Sequence, residues 1–269
     1  MTSKNKNIPK LRFPEFEGEW EKMILGELAE IITGNTPPTA NKDYYNGDYL
    51  FVSPFDINDD RWVRKTKTTL TKLGFEKGRK IKKGSTLFVC IGSTIGKVGQ
   101  IDKDCITNQQ INSVISFGNN TDFIYTLLEN HSPKIKMLAA EQAVPIINKT
   151  TFSNYELRIP TIPEQTKIAS FFTVIDEKIN KLKQKKSLIE QYKKGIMQKI
   201  FSQELRFKDE NGKEFSNWEK KKLGEIGETY NGLTGKTLED FGSGKPYIQY
   251  KQIFDDSKID ISRFEYVQI

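Results

Sequence analysis

The feature that most constrains this chain is an internal repeat. Short motifs near the N-terminus return in the same order near the C-terminus. The repeated pairs are residues 11–13 (LRF) with 205–207, Trp20 with Trp218, residues 25–27 (LGE) with 223–225, Gly34 with Gly232, Thr36 with Thr234, Thr39 with Thr237 and Tyr49 with Tyr247. From Trp20 onward, all pairs are separated by the same number of residues. The repeat predicts one domain and the beginning of a second copy.

A long helix is predicted between the two copies. From residue 168 to 200, mostly apolar residues recur at alternating intervals of four and three. This is the spacing of the interface positions, or seam, of a coiled coil. The ladder is formed by Ile168, Phe172, Ile175, Ile179, Leu182, Lys186, Ile189, Lys193, Ile196 and Ile200. We expect the coiled-coil interface to comprise its positions from Phe172 to Ile200. The alternative is a core helix of a globular domain, but residues 163–204 carry nine Lys and five acidic residues, too many for burial on all sides.

The first copy combines strand and helix patterns. Residues 48–52, 86–91 and 111–116 are short apolar runs bounded by turn-forming residues, which predicts strands. Residues 121–130 predict a helix that is capped by Thr121 or Asp122 and ended by Pro133. We therefore predict an α+β fold, with a mixed α/β domain at 1–160, a coiled-coil spacer helix at 161–204 and an incomplete second copy of the domain at 205–269.

Composition limits the chemistry of the chain. Lys and Arg number 42 against 35 Asp and Glu, a net charge of +7 that suits a polyanionic partner. Apolar runs stay short of the ~20 residues needed to span a bilayer, and no apolar segment follows the basic N-terminus, so we expect a cytoplasmic protein without a signal peptide. With one His and two separated Cys, no zinc site is expected, and Cys90 is predicted to be a buried small hydrophobe.

Three motifs that suggest catalysis are weak. Residues 92–97 (GSTIGK) lack the spacing of a nucleotide-binding phosphate loop and the hydroxyl residue after its Lys, so we predict instead a glycine turn with Lys97 available to a DNA phosphate. Residues 35–38 (NTPP) only superficially match the Asn-Pro-Pro loop of amino-methyltransferases. Asp56, Asp59 and Asp60 could bind magnesium in a nuclease, although acidic clusters of this kind are more often solvated turns.

Candidate DNA contacts fall in the loops of the first copy. Arg and Lys residues crowd positions 65–83, where they could contact phosphates or form an ordinary solvated face. Side chains of residues 108–110 (NQQ) could contact adenine or could hold their own loop. The predicted DNA-binding residues are Asn58, Arg61, Arg64, Lys65, Lys67, Arg79, Lys80, Ser93, Thr94, Lys97, Asn108, Gln109 and Gln110.

Several of these motifs, in this order, resemble one family. Residues 34–39 (GNTPPT), 43–47 (DYYNG) and 49–54 (YLFVSP) are similar to the opening of a target-recognition domain in the specificity subunit of type I restriction–modification enzymes. Residues 92–98 and 107–110 are similar to its middle. Residues 159–165 (IPTIPEQ), leading into Ile175 and Asp176, resemble its passage into a spacer helix. The resemblance covers nearly the whole chain.

The resemblance implies a non-catalytic, sequence-reading subunit. Such subunits carry two target-recognition domains that read the halves of a split site in double-stranded DNA, and their two spacer helices pair antiparallel. We therefore expect methyltransferase subunits that bind S-adenosylmethionine and a restriction motor subunit that uses ATP and magnesium as partners, with no cofactor in this chain.

The chain departs from the family plan in its second copy. That copy covers only residues 205–269, whereas the first runs to about residue 160. We therefore expect a truncated second domain that buries little core, and a spacer seam that needs a partner such as a second copy of the chain. Two other functions remain open, namely a metal-dependent nuclease and a non-functional product or coiled-coil interaction module.

Overall fold

The fold was analysed in a computed structural model that describes residues 8–58, 60–139, 145–255 and 257–269. The chain divides into two compact units, residues 1–195 and residues 196–269. The domain boundaries at 160 and 204 stay a prediction.

The first unit contains three sheets. Its strands are β1 (Glu21–Ile24), β2 (Ala29–Thr33), β3 (Tyr45–Val52), β4 (Trp62–Val63), β5 (Thr68–Leu70), β6 (Lys80–Ile81), β7 (Thr86–Val89), β8 (Val98–Ile101), β9 (Cys105–Thr107), β10 (Ile111–Ser116) and β11 (Glu156–Ile159). One sheet has the order β2-β10-β7-β8-β4, the second β5-β3-β9-β6, and β1 pairs with β11. Within them, β3 pairs parallel with β9 and β4 with β8, and the other ladders are antiparallel.

The two larger sheets pack face to face. Successive side chains of a strand point to opposite faces, and β7 shows the consequence. Leu87 and Val89 join the core between the sheets, whereas Phe88 joins a second core under the helices. Cys105 of β9 also points between the sheets, and its neighbour Ile106 points to a small outer cluster. The alternating pattern predicted from the sequence therefore produces a layered fold.

Helices cover the outer faces of this sandwich. They are α1 (Leu25–Leu28), α2 (Lys72–Glu76), α3 (Thr121–Lys136), α4 (Lys149–Ser153) and α5 (Ile162–Phe201). Cys90 lies in the core formed by α1, α3, α4 and the start of α5, as predicted, and its burial raises the pKa of the thiol to about 12.

Helix α3 differs from the prediction at both ends. Its cap is Asn120, whose side chain accepts the backbone N–H groups of Asp122 and Phe123, instead of Thr121 or Asp122. Pro133 lies inside the helix rather than ending it. The last turn persists because Ile135 is fully buried and the hydroxyl of Ser132 donates to the carbonyl of Gly96.

The predicted spacer is confirmed as one helix of 40 residues, α5. At about 1.5 Å per residue, a helix of this length extends roughly 60 Å. Residues 181–194 are exposed around the whole helix, so this segment is not the core of a globular domain. The seam residues Ile179, Leu182 and Ile189 are exposed as well.

The first turn of α5 is attached to the domain by buried polar groups. Glu164 is 1% exposed, and its carboxylate accepts hydrogen bonds from Nε and Nη2 of Arg12 at 2.8 and 2.6 Å and from Nε1 of Trp20 at 3.2 Å. The buried amide of Gln165 accepts the backbone N–H of Asn120 and donates to Asn119. The motif at 159–165 therefore encodes the anchor of the helix.

The second unit repeats local elements of the first. It contains α6 (Leu223–Ile226), β12 (Phe241–Tyr247), α7 (Tyr250–Asp255) and β13 (Glu265–Val267), and β12 pairs antiparallel with β13 as β3 does with β5. Val267 is the only buried hydrophobic residue in the part of this unit that the structure describes. The α+β fold, the long helix and the partial second copy with little core are thus confirmed. Among the described residues, every helix is too short or too polar to cross a bilayer.

We predict that Glu164→Gln destabilises the first unit, because the substitution leaves the Arg12 guanidinium without its charged partner. The melting temperature should fall by more than about 4 °C. Glu177→Gln, which removes an exposed acid of the same helix, is the matched control and should melt like the unmodified chain. Equal melting temperatures of the two variants in a calorimetric scan would contradict an anchoring role for Glu164.

Candidate nucleic-acid interface

Four of the sequence motifs meet at one end of the two large sheets. They occupy the loops that follow β2, β3, β7 and β9, and backbone hydrogen bonds link these loops to one another. The N–H of Asn35 donates to the carbonyl of Thr107, and that of Asn108 donates to the carbonyl of Val52. The N–H of Cys90 donates to the carbonyl of Gln110. Segments far apart in sequence thus form one polar surface, which we call the loop end.

Glycines allow these loops to approach closely. A side chain at Gly34 would collide with the carbonyl oxygens of Thr107 and Asn108. In the loop after β7, Gly92 and Gly96 adopt φ values of +94° and +93°, which favour glycine. The glycine turn predicted for residues 92–97 is therefore present.

Asn35 connects two parts of the loop end. Its side chain accepts the backbone N–H of Arg79 at 2.7 Å and donates to the carbonyl of Lys77 at 3.4 Å. The guanidinium of Arg79 in turn donates to the carbonyl of Thr33 at 2.6 Å. Two exposed cations are thereby held beside the motif at residues 34–39.

The amides at 108–110 have different roles. The side chain of Asn108 accepts the backbone N–H of Gln110 and donates to its side-chain oxygen. The amide nitrogen of Gln110 donates to the carbonyl of Ile91. Both side chains therefore hold the loop, which is one of the two roles considered for residues 108–110. Gln109 is exposed and accepts the hydroxyl of Thr36 at 2.7 Å. In the described ranges its amide nitrogen has no acceptor, so Gln109 is the one of the three that is available to a base.

The prediction that Arg61 contacts DNA is wrong for this structure. Its side chain is 5% exposed, Nε donates to Gln100 at 2.7 Å, and Nη2 forms an ion pair with Asp122 at 2.6 Å. Nη1 lies 3.5 Å from the carboxylate of Asp176 and 3.3 Å from the hydroxyl of Thr173, both on α5. A guanidinium with this many partners is a structural link between the domain and the helix.

Lys97 is also engaged within the fold. Its ammonium group donates to the backbone carbonyls of Ile57 at 2.8 Å and Pro54 at 3.3 Å. The prediction that it waits for a phosphate is therefore corrected, and its role here is to hold the loop after β3. The neighbouring Ser93 is exposed and Thr94 half-buried in the turn after β7, so both stay candidates for DNA contact.

The basic segment at 65–83 does not form a single patch. Lys67 lies at the loop end, where its ammonium stands 5.4 Å from the ring centroid of the exposed Phe55. Lys80 is paired with Glu76 at 2.6 Å, and this hydrogen bond lowers the pKa of the Glu76 carboxyl. Arg64 is shared between Asp60 and Asp102, whereas Lys65 and Asn58 are exposed without such a partner in the described chain.

The acidic residues at 56–60 do not form a site in the described chain. The carboxylate of Asp56 accepts the backbone N–H groups of Ser53 and Lys67, so it closes a turn. Asp60 pairs with Arg64, and Asp59 lies outside the described residues. No group of three His, Cys, Asp or Glu residues that could hold a metal is found in the residues that the structure describes.

Comparison with known proteins decides the family. Residues 17–191, well over half of the chain, match the family described as the type I restriction modification DNA specificity domain. The chain belongs to this family. The predicted resemblance is thereby confirmed.

Two curated specificity subunits are similar to this chain in sequence. The chain is 24% identical over 262 residues to the type I restriction enzyme MjaIX specificity subunit of Methanocaldococcus jannaschii, covering 91% of this chain and 61% of that protein. It is 32% identical over 148 residues to the type I restriction enzyme HindI specificity subunit of Haemophilus influenzae, covering 53% of this chain and 32% of that protein. The chain thus spans about a third to three-fifths of these relatives.

Solved structures support the same fold. The type I restriction–modification S subunit from M. genitalium matches with a TM-score of 0.54 and 22% identity, over 72% of this chain and 48% of that one. A chain from a study of complex assembly and conformational transition in a type I R-M system matches with a TM-score of 0.52 and 19% identity, over 70% of this chain and 47% of that one. At these identities the likeness shows the fold alone.

Sequence reasoning missed two residues of the loop end. Phe55 is 70% exposed at the tip of the turn after β3, and Thr36 is exposed beside Gln109. An aromatic residue within a turn-forming segment is the available signal for Phe55. For Thr36 the sequence offers only its motif, because its partner Gln109 lies 73 residues away.

We predict that Asn108→Ala lowers the free energy of unfolding of the first unit by about 1 kcal/mol, because two hydrogen bonds within the loop are lost. Gln109→Ala should change it by less than about 0.5 kcal/mol. Urea unfolding followed by tryptophan fluorescence measures both. A larger loss for Gln109→Ala than for Asn108→Ala would refute this division of roles.

Proposed function

We propose that the chain recognises a DNA sequence through the loop end, as the specificity component of a type I restriction–modification complex, and catalyses no reaction itself. The observation that carries the proposal is the convergence of four polar loops beside exposed cations at one end of a two-sheet core. Membership of the specificity-domain family and the names of the curated relatives support it.

The loop end offers two kinds of contact. Lys67, Lys77 and Arg79 can contact phosphates, which position a protein on DNA without reading its sequence. Gln109 can present its free amide to a base edge in the major groove, and Phe55 can contact a thymine methyl group. Asn58, Ser93 and Thr94 complete the proposed reading surface.

The proposed partners carry the chemistry. Methyltransferase subunits would bind S-adenosylmethionine, and a motor subunit would use ATP and magnesium to act on DNA. The experiment that tests this function is co-purification of the chain with a methyltransferase subunit of a type I restriction–modification system, followed by mapping of methylated bases. Methylation at a defined sequence that changes when Gln109 is substituted is the expected result. Methylation independent of the chain would refute the proposal.

We predict that Lys77→Ala weakens DNA binding, because Lys77 is an exposed cation held against the motif loop by Asn35. The slope of log affinity against log salt concentration should become smaller by about 1, as expected for one lost phosphate contact. Fluorescence anisotropy with a labelled duplex at several salt concentrations measures this.

Lys103→Ala is the matched control for that experiment. Lys103 is also exposed, but it lies in the turn between β8 and β9, at the opposite end of β9 from Asn108. The two variants remove the same charge, so an equal loss of affinity would mean that binding follows net charge and does not use the loop end.

We propose that the exposed seam of α5 pairs with a helix of another polypeptide, and that two copies of the chain pair antiparallel. An exposed apolar seam with this four-three spacing is stabilised when its side chains pack as knobs into the holes of a partner helix. The polar seam residues Lys186 and Lys193 would then restrict register. Two identical recognition domains would read a site whose halves are inverted repeats.

We predict that Ile189→Asp abolishes this association, since it places a charge in the seam. Gln184→Asp is the control, because position 184 faces away from the seam on the same exposed part of α5. Sedimentation velocity at micromolar concentration should show dimers for the unmodified chain and for Gln184→Asp. Monomers in all three samples would rule out the homodimer.

A further inference from the structure

The loop end carries an exposed aromatic side chain. Among the described residues from 8 to 159, only Phe55 and Phe117 are aromatic residues whose side chains are exposed. Phe55 is 70% exposed and follows β3, at the loop end, whereas Phe117 is 63% exposed and follows β10, at the opposite end of that strand from the loop end. A single apolar residue on a protein surface is common, so exposure alone does not assign a role to Phe55.

The turn that carries Phe55 is held by several hydrogen bonds. The backbone N–H of Asp56 donates to the carbonyl of Ser53 at 3.0 Å, which closes a turn with Pro54 and Phe55 at its centre. A proline at the first central position fixes one backbone angle of the turn in advance. The Asp56 carboxylate accepts the backbone N–H and the hydroxyl of Ser53 at 2.9 and 2.7 Å, and its other oxygen accepts the backbone N–H of Lys67 at 2.7 Å. The turn is therefore fixed internally and also to the loop before β5.

Lys97 holds the same turn from the loop after β7. Its ammonium group donates to the carbonyl of Pro54 at 3.3 Å and to that of Ile57 at 2.8 Å, so it bonds the backbone on both sides of Phe55. Pro54 and Ile57 are buried, which anchors the turn in the domain before and after the exposed ring. An aromatic side chain on a backbone held in this way loses little conformational freedom when it contacts a ligand.

A cation lies over one side of the Phe55 ring. The ammonium group of Lys67 is 5.4 Å from the ring centroid, which is a cation–π contact. An apolar side chain that inserts between base steps must present both of its faces to the bases. The contact with Lys67 therefore favours a role in which only the other face and the edge of the ring meet the ligand. Lys67 is exposed, so its charge suits a phosphate beside that contact.

We propose that Phe55 reads the 5-methyl group of a thymine in the major groove, and that Lys97 is a positioning residue for it. This inference deepens the proposed function and rests on it. In the major groove, the methyl group marks the thymine side of an A·T pair. In the described residues of the four loops that form the loop end, Phe55 is the one large apolar side chain that is exposed. It is therefore the side chain that gains from removing a methyl group from water.

Selection from a pool of random duplexes tests the proposal with the full chain. The unmodified chain should enrich a defined sequence that contains thymine. Each thymine is then replaced in turn by uracil, which lacks only the methyl group, and the affinities of the duplexes are measured by fluorescence anisotropy. At one position the uracil duplex should bind about fourfold more weakly, as expected for one methyl group removed from water.

Two alanine variants identify the reading residue. Phe55→Ala should bind the thymine and uracil duplexes with equal affinity, because the apolar partner of the methyl group is gone. Phe117→Ala is the matched control and should keep the preference for thymine, since it removes a similarly exposed phenylalanine far from the loop end. Comparing two duplexes with two proteins isolates this pair of groups from any general loss of affinity.

Two further variants test the positioning role of Lys97. Lys97→Met keeps a long side chain but cannot donate to the carbonyls of Pro54 and Ile57, so the preference for thymine should be largely lost. Lys97→Arg supplies donors for both carbonyls and should restore it. Melting temperatures show whether each variant keeps the fold of the first unit. If Lys97→Met lowers the affinity for both duplexes by the same factor, the role of Lys97 is structural only and the positioning role is wrong.

Three results would overturn the inference as a whole. An enriched sequence without thymine, or equal affinity for thymine and uracil at every position, would show that no methyl group is read. A preference for thymine that survives in Phe55→Ala would assign the reading to another residue. If the unmodified chain enriches no sequence, the proposed function fails together with the inference, whereas the other results leave the proposed function intact.

Discussion

A buried carboxylate determines where the long helix starts and how it leaves the first unit. Glu164 lies in the first turn of α5, and Arg12 and Trp20 supply all the hydrogen bonds described to its oxygens. An ion removed from water must keep its partner, so this turn cannot slide along the domain without a large loss of stability. Residues 181–194 are exposed on every side in the part of the chain that the structure describes, so packing does not redirect the helix there. The direction of α5 from the first unit is therefore decided in its first turns, by these polar contacts together with the packing of Ile168 and Ala169 against the core.

The second anchor connects the helix with the loop end. Arg61 follows the loop after β3, and its guanidinium contacts Gln100 of β8, Asp122 of α3 and Asp176 of α5. The central carbon of the guanidinium, Cζ, also lies 4.8 Å from the ring centroid of Tyr125, which is a cation–π contact. The five donors of the planar guanidinium allow it to join three elements at once. This cluster therefore connects the loop after β3 physically with α3 and α5.

The sequence predicted the elements of the fold better than the roles of individual cations. Residues 111–116 form a strand as expected, and the four-three spacing from Ile168 to Ile200 identified α5, because both patterns depend on near neighbours. The sequence predicts a DNA contact for Arg61, which lies beside the basic segment at 65–83, and for Lys97, which lies in the glycine turn at 92–97. Their partners lie 39 to 115 residues away, at Gln100, Ile57 and Asp176. A single sequence carries no signal for such distant contacts. The convergence of the loops likewise depends on the parallel pairing of β3 with β9, which joins residues far apart in the sequence.

The two copies of the repeat show which structural features need only nearby residues and which need tertiary contacts. Both copies form the short helix with its reciprocal cap and the arginine bound to two carbonyls, since these contacts lie within about twelve residues. Only the first copy forms the strand at residues 21–24 and buries Leu25, because both require β11 and the layers behind it. Gly34 meets the loop after β9, whereas its counterpart Gly232 has open space around it. The repeated motifs are therefore sufficient for local geometry but not for a core. What converts them into a domain in the first copy is the packing of α1 against β7, β10, α3, α4 and β11, which are contributed by residues 86–159.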